Sequence, residues 1–201
     1  YLQSPSHFKN IMLAAALYGR VVNSNGRILI VVDSDCDGFT SAAIIYQYTK
    51  RLNPECPIDY WLHEGKQHGL QDHIDKLMND NYEYDLIILP DSSSNDAHYH
   101  NMLEEIHTPC LILDHHEAEG PFSDNAIIIN NQLSPNYKNK DLCGAGITWQ
   151  FCRYLDEILG ANFASKYMDL AALGIISDMM SMLSLENRYI VTEGLKELKN
   201  P

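Results

Sequence analysis

The sequence contains no apolar run approaching the roughly 20 residues that span a bilayer, and its start does not resemble a secretory signal peptide. We therefore expect no membrane association. Cysteines are few: there are five, an odd number, and none forms a C-x-x-C pair. A disulfide framework is not expected, and free thiols in a reducing cytoplasm fit this count better.

Basic residues are also scarce. The chain has 14 Lys and Arg against 27 Asp and Glu, which gives a formal net charge of −13. Proteins that bind nucleic acid through its phosphates usually carry a basic stripe, and this sequence has none. The composition argues against a large, self-sufficient nucleic-acid surface within the chain. Metal ions bound to acidic side chains would neutralise part of the charge.

The pattern of apolar residues alternates between strand-like and helix-like segments. Predicted strands lie at 28–32, 58–62, 85–89, 110–113 and 126–129, and predicted helices at 5–18, 39–52, 70–78 and 96–105. From residue 144 onward the pattern is helical only, with segments at 147–159, 164–175 and 185–198. This order predicts an α/β fold: a parallel β-sheet flanked by helices on both faces, followed by an all-helical C-terminal part.

Carboxylates and imidazoles follow three of the predicted strands directly. They are Asp33, Asp35 and Asp37 after the first strand, Asp91 after the third, and Asp114, His115 and His116 after the fourth. Because the C-terminal ends of parallel strands share one edge of a sheet, these side chains should converge there. Such a cluster is costly without a counter-charge. The sequence therefore predicts a pair of divalent metal ions, and oxygen-rich ligands with one or two imidazoles suit manganese or magnesium.

Each of these residues also has an ordinary structural alternative. One aspartate of the first cluster could cap the following helix, and Asp91, which precedes three serines, could be a turn residue. The D-x-D-x-D-G run begins like an EF-hand calcium loop, but its twelfth position is Ile44 instead of Glu, so we reject that site. Five histidines outside the motifs are expected at the surface: His7, His73, His98, His100 and His107.

Taken together, the motifs resemble the DHH phosphoesterase superfamily, and within it the RecJ single-strand-specific exonucleases. Segment 33–38 is similar to the first motif, Asp91 to the second, 114–116 to the third and 174–178 to the fourth. Further RecJ-like segments occur at 64–70, 142–146 and 186–188. The resemblance covers nearly the whole chain, in order.

The resemblance implies a two-metal phosphodiester hydrolase, the catalytic domain of a RecJ-like 5′→3′ single-stranded DNA exonuclease acting in DNA repair or recombination. The implied cofactor is two Mn²⁺ ions, with Mg²⁺ as a possible substitute. Asp35 would bind the first metal and Asp37 the second, with Asp91 bridging them. His115 and Asp178 would complete the second metal. No side-chain nucleophile is needed.

The resemblance also assigns residues around the metals. His116 would face the scissile phosphate as a hydrogen-bond donor or acid, while Asp33 and Asp114 would orient ligands. Some DHH proteins place a histidine where this chain has Val31, so the first metal could lack a protein ligand. The family normally has a further C-terminal domain. We expect a catalytic domain at 1–184 and a helix at 185–201 that leads towards an absent second domain, and Tyr1 in place of Met suggests a fragment or processed chain.

Two weaker signals concern substrate binding. Gly144 and Gly146 open a predicted helix, whose free N–H groups could receive a substrate phosphate; a tight turn with close helix packing is an equal alternative. Lys66 and His68 could touch substrate, although a solvated loop is the expected location.

Three functions stay open on the sequence alone. The first is the RecJ-like exonuclease, with single-stranded DNA as substrate. The second is a phosphodiesterase for short oligoribonucleotides or cyclic dinucleotides, as in other DHH families. The third is a catalytically silent scaffold that binds a replication or repair protein, against which the intact set of predicted metal ligands argues.

Overall fold

A five-stranded parallel sheet forms the centre of the computed structural model, which describes residues 1–65, 67–79 and 82–198. The strand order within these ranges is β2-β1-β3-β4-β5, and every neighbouring pair is parallel. The strands are β1 (Ile28–Val32), β2 (Ile58–Leu62), β3 (Leu86–Pro90), β4 (Cys110–Asp114) and β5 (Ala126–Asn130). All five predicted strands are present, each within one residue of its predicted bounds.

Helices cover both faces of this sheet. They are α1 (Ile11–Asn23), α2 (Cys36–Leu52), α3 (Ile74–Asn79), α4 (Ala97–Glu105), α5 (Gly144–Leu159), α6 (Met168–Ser177) and α7 (Leu185–Glu197), with short 3₁₀ helices at Pro5–His7 and Ala164–Tyr167. Alternate residues of β1 enter opposite cores: Ile28 and Ile30 pack with α1, α2, α5 and α6, whereas Leu29 and Val31 pack with α3 and α4. The predicted fold class is confirmed.

The first predicted helix is interrupted. Ser4 caps a single 3₁₀ turn at Pro5–His7 instead of a helix over 5–18. Phe8 is extended and Asn10 adopts a left-handed conformation with φ 65°. The Asn10 side chain donates a hydrogen bond to the Ile128 carbonyl of β5 at 3.1 Å, which fixes the break. Helix α1 therefore begins only at Ile11.

Helix α2 begins three residues earlier than predicted, inside the acidic motif. Asp35 is its N-cap, and its Oδ1 accepts a hydrogen bond from the Gly38 N–H at 2.9 Å. The ordinary capping role considered for one aspartate thus belongs to Asp35. The cap brings the other two aspartates of the motif to the first turn of α2 and to the end of β1.

The C-terminal helices pack onto the rest of the described chain. Glu186, in the first turn of α7, is buried and accepts hydrogen bonds from Tyr137 at 2.9 Å, Asn139 at 2.9 Å and Gln150 at 2.8 Å. The boundary at residue 184 stays a prediction, and positions 199–201 of the predicted final segment lie outside the described residues.

Two predictions from composition can be compared with the structure. All five cysteines lie within the described ranges and are free thiols. Among the helices of those ranges, none is both long and apolar enough to cross a membrane.

Candidate metal centre

The C-terminal ends of β1, β3 and β4 are neighbours in the sheet, so the acidic residues that follow them meet at one edge. Asp33 follows β1, Asp91 follows β3 and Asp114 ends β4. Asp178, the C-cap of α6, reaches the same place from the helical part of the chain. The convergence expected from the strand pattern is therefore present.

The His115 imidazole lies among three carboxylates. Its Nε2 is 3.2 Å from Asp91 Oδ1, 3.5 Å from Asp178 Oδ2 and 3.9 Å from Asp37 Oδ2. One ligand atom each from Asp37, His115 and Asp178 fit within 4.8 Å of one another, which is close enough to hold one cation. This is the set expected for the second metal, without the shared Asp91.

A second group contains carboxylates alone. Ligand atoms of Asp33, Asp35 and Asp91 also lie within 4.8 Å of one another. Sites with only oxygen ligands favour hard cations such as Mg²⁺ and Mn²⁺. Asp33 was expected only to orient ligands, but its carboxylate lies close enough to Asp35 and Asp91 to bind the same cation. β1 contains no histidine, so it supplies no imidazole to this group. Val31 itself packs in the core with α3 and α4.

Asp91 belongs to both the carboxylate group and a third one with His115 and His116. Its Oδ1 is buried and has no hydrogen-bond partner within the described part of the chain. Burial, together with the nearby Asp37 carboxylate, raises the pKa of Asp91 to about 12. Burial also raises the pKa of Asp178. Crowded buried carboxylates with an unpartnered oxygen fit divalent cations, which would supply the missing positive charge.

The N-terminus of α5 compensates part of this negative charge. Buried Asp37 accepts hydrogen bonds from the Gly144 N–H at 2.7 Å and the Ala145 N–H at 3.0 Å. A Cβ added at Gly144 would lie 2.4 Å from Asp91 Oδ1, and one added at Gly174 would lie 2.3 Å from Asp37 Oδ1. These two glycines let α5 and α6 approach the carboxylates closely.

This arrangement bears on the phosphate site predicted at the start of α5. The Gly144 N–H is not free for a substrate, because Asp37 already accepts its hydrogen bond. At Gly146, an added Cβ would lie 2.4 Å from Leu142. Close packing at both glycines agrees with the alternative interpretation, and their role in substrate binding stays a prediction.

His116 is held at the side of the centre by buried Asp114. Its Nδ1 lies 2.7 Å from Asp114 Oδ1. The other carboxylate oxygen of Asp114, Oδ2, accepts a hydrogen bond from the Ser94 N–H at 3.0 Å. The hydrogen bond to Asp114 raises the pKa of His116 to about 9, which favours the imidazolium form. Burial opposes the ionisation of Asp114, but the hydrogen bonds from His116 and Ser94 lower its pKa overall. Among the described residues, Asp114 is in none of the groups that could hold a metal ion.

Sequence reasoning missed two polar residues around this edge, Asn130 and His100, and it did not foresee the contact that His68 makes. His68 contacts Asp33, and Asn130 donates to Ser94 Oγ at 3.0 Å and to the His116 carbonyl at 2.9 Å. Both pairings are long-range and leave no local pattern. His100 was expected at the surface but is fully buried, and burial lowers its pKa to about 4. Its spacing of three from buried Leu103 on α4 was the available signal. Lys66 lies outside the described residues.

A family model described as the DHH family, N-terminal domain, matches residues 27–175. The chain belongs to the DHH family. Asp178, in the segment similar to the fourth motif, lies three residues beyond the match. The family recognised from the sequence motifs is thereby confirmed.

Two relatives of the chain are named as exonucleases. The chain is 42% identical over 196 residues to YorK of Bacillus subtilis strain 168, named as a candidate SPbeta prophage-derived single-strand DNA-specific exonuclease; the match covers 98% of the chain and 33% of YorK. It is 27% identical over 197 residues to the single-stranded-DNA-specific exonuclease RecJ of the same strain, covering 97% of the chain and 24% of RecJ. The chain thus spans about a third or less of these relatives.

The fold agrees with a solved structure of the same kind. A crystal structure of exonuclease RecJ bound to manganese superposes with a TM-score of 0.83 at 26% identity. The superposition covers 94% of this DHH chain and 48% of the RecJ chain. The expected similarity to RecJ is therefore confirmed in sequence and in fold.

Proposed function

We propose that this DHH chain is the catalytic part of a divalent-metal-dependent phosphodiester hydrolase, an exonuclease that degrades single-stranded DNA in the 5′→3′ direction. One observation carries the proposal: two groups of cation ligands lie side by side at one sheet edge, and buried Asp91, with an oxygen that lacks a described hydrogen-bond partner, is beside both. The names of YorK and RecJ support the choice of single-stranded DNA.

Each group has its own ligand set. Asp37, His115 and Asp178 would hold one cation, and Asp35, Asp91 and Asp33 the other, with Asp91 oriented towards both. The preferred ions are Mn²⁺, with Mg²⁺ as the alternative, and the manganese in the RecJ structure supports this choice. When bound, two such cations polarise the phosphate and lower the pKa of the attacking water.

In this proposal His116 contacts the scissile phosphate directly. Asp114 accepts the Nδ1 hydrogen bond, which leaves the Nε2–H of the imidazolium for the substrate. That proton can be donated to a phosphate oxygen or to the leaving oxygen as the bond breaks. The Ser94 N–H keeps Asp114 in place, so the ring does not need to reorient during the reaction.

Most of the contacts that bind DNA must come from outside the described surface. The net charge of −13 offers little attraction for phosphates beyond the metal edge. We infer that the remaining two thirds of a YorK-like protein would supply it, with the segment after residue 184 leading there. Single-stranded DNA is the proposed substrate, and a replication or repair protein is a second proposed partner. Both agree with a role in DNA repair or recombination.

We expect Mn²⁺ to stabilise the folded protein. At a free concentration of one hundred times the dissociation constant, binding to the native state contributes about 2.7 kcal/mol. For a chain of this size, that is a rise in melting temperature of about 5–10 °C. A thermal melt with Mn²⁺ and with EDTA measures it. Equal melting temperatures in the two conditions would contradict a metal centre.

Hydrolysis is tested with single-stranded DNA labelled at either end, beside a dinucleotide. In Mn²⁺ we expect a 5′ label to be released at once as a mononucleotide, while a 3′ label appears in a shortening ladder. No cleavage should occur in EDTA.

One observation favours a second candidate. The scarcity of basic residues suits a short substrate that needs little contact with a nucleic-acid backbone. Cleavage of dinucleotides or short oligoribonucleotides with long DNA left intact would establish that phosphodiesterase instead. A protein that cleaves none of these substrates in Mn²⁺ would be the silent scaffold.

A further inference from the structure

The fifth strand also brings a polar side chain to the metal edge, although β5 carries no acidic or imidazole group. Asn130, the last residue of β5, pairs in register with Asp114, the last residue of β4. The Asn130 side chain is fully buried. The sheet edge therefore receives carboxylates from the ends of β1, β3 and β4, and an uncharged amide from the end of β5.

The Asn130 amide uses both its donors and its acceptor. Its Nδ2 donates to Ser94 Oγ at 3.0 Å and to the His116 carbonyl at 2.9 Å. Its Oδ1 accepts a hydrogen bond from the Gln132 N–H at 2.7 Å. A buried amide with every group paired has one preferred orientation, and removing it leaves its partners without their hydrogen bonds.

These contacts close a ring of hydrogen bonds around His116. The Ser94 N–H donates to Asp114 Oδ2 at 3.0 Å, and Asp114 Oδ1 accepts from the His116 N–H at 3.2 Å. His116 Nδ1 lies 2.7 Å from the same oxygen. Asn130 completes the ring, because it joins Ser94 to the His116 carbonyl. His116 is therefore held by Asp114 on one side and by Asn130 on the other.

The neighbouring histidine is held in a similar way. Gln132 Nε2 donates to the His115 carbonyl at 3.2 Å and to the Lys140 carbonyl at 2.9 Å. Side-chain amides at the end of β5 thus bind the carbonyls of both histidines. One of these histidines is a candidate metal ligand, and the other is proposed to contact the phosphate.

We propose that Asn130 is a positioning residue for phosphodiester hydrolysis, which acts through His116 and touches neither metal nor substrate. The inference rests on the proposed function, since it requires His116 to face the phosphate. The His116 side chain is 57% exposed, so packing alone does not fix its ring. A displacement of about 1 Å at a reacting group can lower a rate about a hundredfold. A carboxylate at position 130 could not donate to the His116 carbonyl and would add a charge near buried Asp114.

The test compares Asn130→Ala with Asn125→Ala. Asn125 is the matched control because its Nδ2 also donates two hydrogen bonds, to the carbonyls of His100 at 3.0 Å and Thr108 at 2.9 Å. It lies just before β5, at the sheet edge opposite the metal centre. If alanine at position 130 prevents folding, Asn130→Ser is the milder change, since serine leaves a smaller gap and keeps a hydroxyl donor.

Two properties are measured on each protein. The first is kcat and KM for cleavage of single-stranded DNA in Mn²⁺. The second is hydrogen exchange of the His116 backbone N–H, measured by NMR without metal or substrate. We expect Asn130→Ala to lower kcat about 10–100-fold with little change in KM. The His116 N–H should exchange faster, while exchange in the core of β1 stays slow. Asn125→Ala should change neither property.

A double-mutant cycle with His116→Ala separates positioning from a general loss of stability. Once the His116 imidazole is removed, Asn130→Ala should lower kcat little further, because the group that Asn130 positions is absent. A merely structural role would lower kcat by the same factor in both backgrounds, and that result would overturn the inference.

Wild-type kcat in Asn130→Ala, or unchanged exchange of its His116 N–H, would overturn the inference as well, and in either case the proposed function stands. The proposed function fails separately, namely if the wild type cleaves no phosphodiester. The exchange measurement still decides in that case whether Asn130 holds His116: faster exchange in Asn130→Ala supports that contact, and unchanged exchange refutes it.

Discussion

Replacing Asp91 by asparagine is expected to reduce phosphodiester hydrolysis by at least about a thousandfold, because several kcal/mol of transition-state stabilisation by cations would be lost. Asp91 is the carboxylate placed beside both groups of candidate ligands. Asparagine is a better replacement than alanine, because Asp91 has φ 68°, in the left-handed region that asparagine tolerates. The measurement is the rate of release of a 5′ label from single-stranded DNA in Mn²⁺.

The same variant should not be less stable than the wild type when metal is absent. Burial raises the pKa of Asp91 to about 12, so at neutral pH folding must either protonate this group or bury its charge. In the unfolded chain Asp91 has the ordinary pKa of an aspartate. The free-energy cost of folding with this side chain therefore rises as the pH rises above that ordinary pKa. A neutral amide avoids it. Melting temperatures in EDTA should therefore be equal or higher for Asp91→Asn.

Exposed Asp124 provides the control for both measurements. Asp124→Asn should retain full activity and the full stabilisation by Mn²⁺. If Asp91→Asn kept its activity, or gained as much stability from Mn²⁺ as the wild type does, Asp91 would not be a metal ligand.

Two glycine-to-alanine substitutions should have opposite effects on stability. In a helix interior this change normally stabilises by up to about 1 kcal/mol. Gly19 of α1 has nothing within 4 Å of an added Cβ, so Gly19→Ala should follow the rule. At Gly174 of α6 the Cβ would lie 2.3 Å from Asp37 Oδ1 and 2.6 Å from the Ala145 Cβ. Overpacking there should cost about 1–3 kcal/mol, or more.

Thermal and urea unfolding of the two variants measure this difference. The expected shifts are a rise of a few degrees for Gly19→Ala and a fall of about 2–12 °C for Gly174→Ala, at about 2–4 °C per kcal/mol. Reduced Mn²⁺ affinity should accompany the fall. A Gly174→Ala protein as stable as wild type would mean that α6 can move away from Asp37 without cost.

The sheet and its acidic edge were predictable because their signals are local. The runs at β1, β3 and β4 are buried at every position, and each ends directly at an acidic residue. Parallel strands bring such ends together by geometry alone. The family motifs then assigned roles that spacing alone left open, among them that of Asp178 at the end of α6.

What could not be predicted depends on contacts between distant parts of the chain. Asp33 and His68 are separated by 35 positions, and Asp37 and Gly144 by 107. Asn10 interrupts the first helix through a contact with β5. No pattern within a window of residues encodes these pairs, so the contacts of His68 and of the first turn of α5 could not be predicted.

The hydrogen bonds from the start of α5 to Asp37 tie the α/β part of the chain to its helical part. A carboxylate of the first motif takes its hydrogen-bond donors from a helix more than one hundred positions later. Whatever loosens the first turn of α5 must therefore expose or unpair a buried charge in the sheet edge, and a cation held by Asp37 would resist that opening. The two parts should unfold in a single cooperative transition. A minimal catalytic unit cut before residue 144 would retain most of the acidic motifs and lose the donors that keep Asp37 in position.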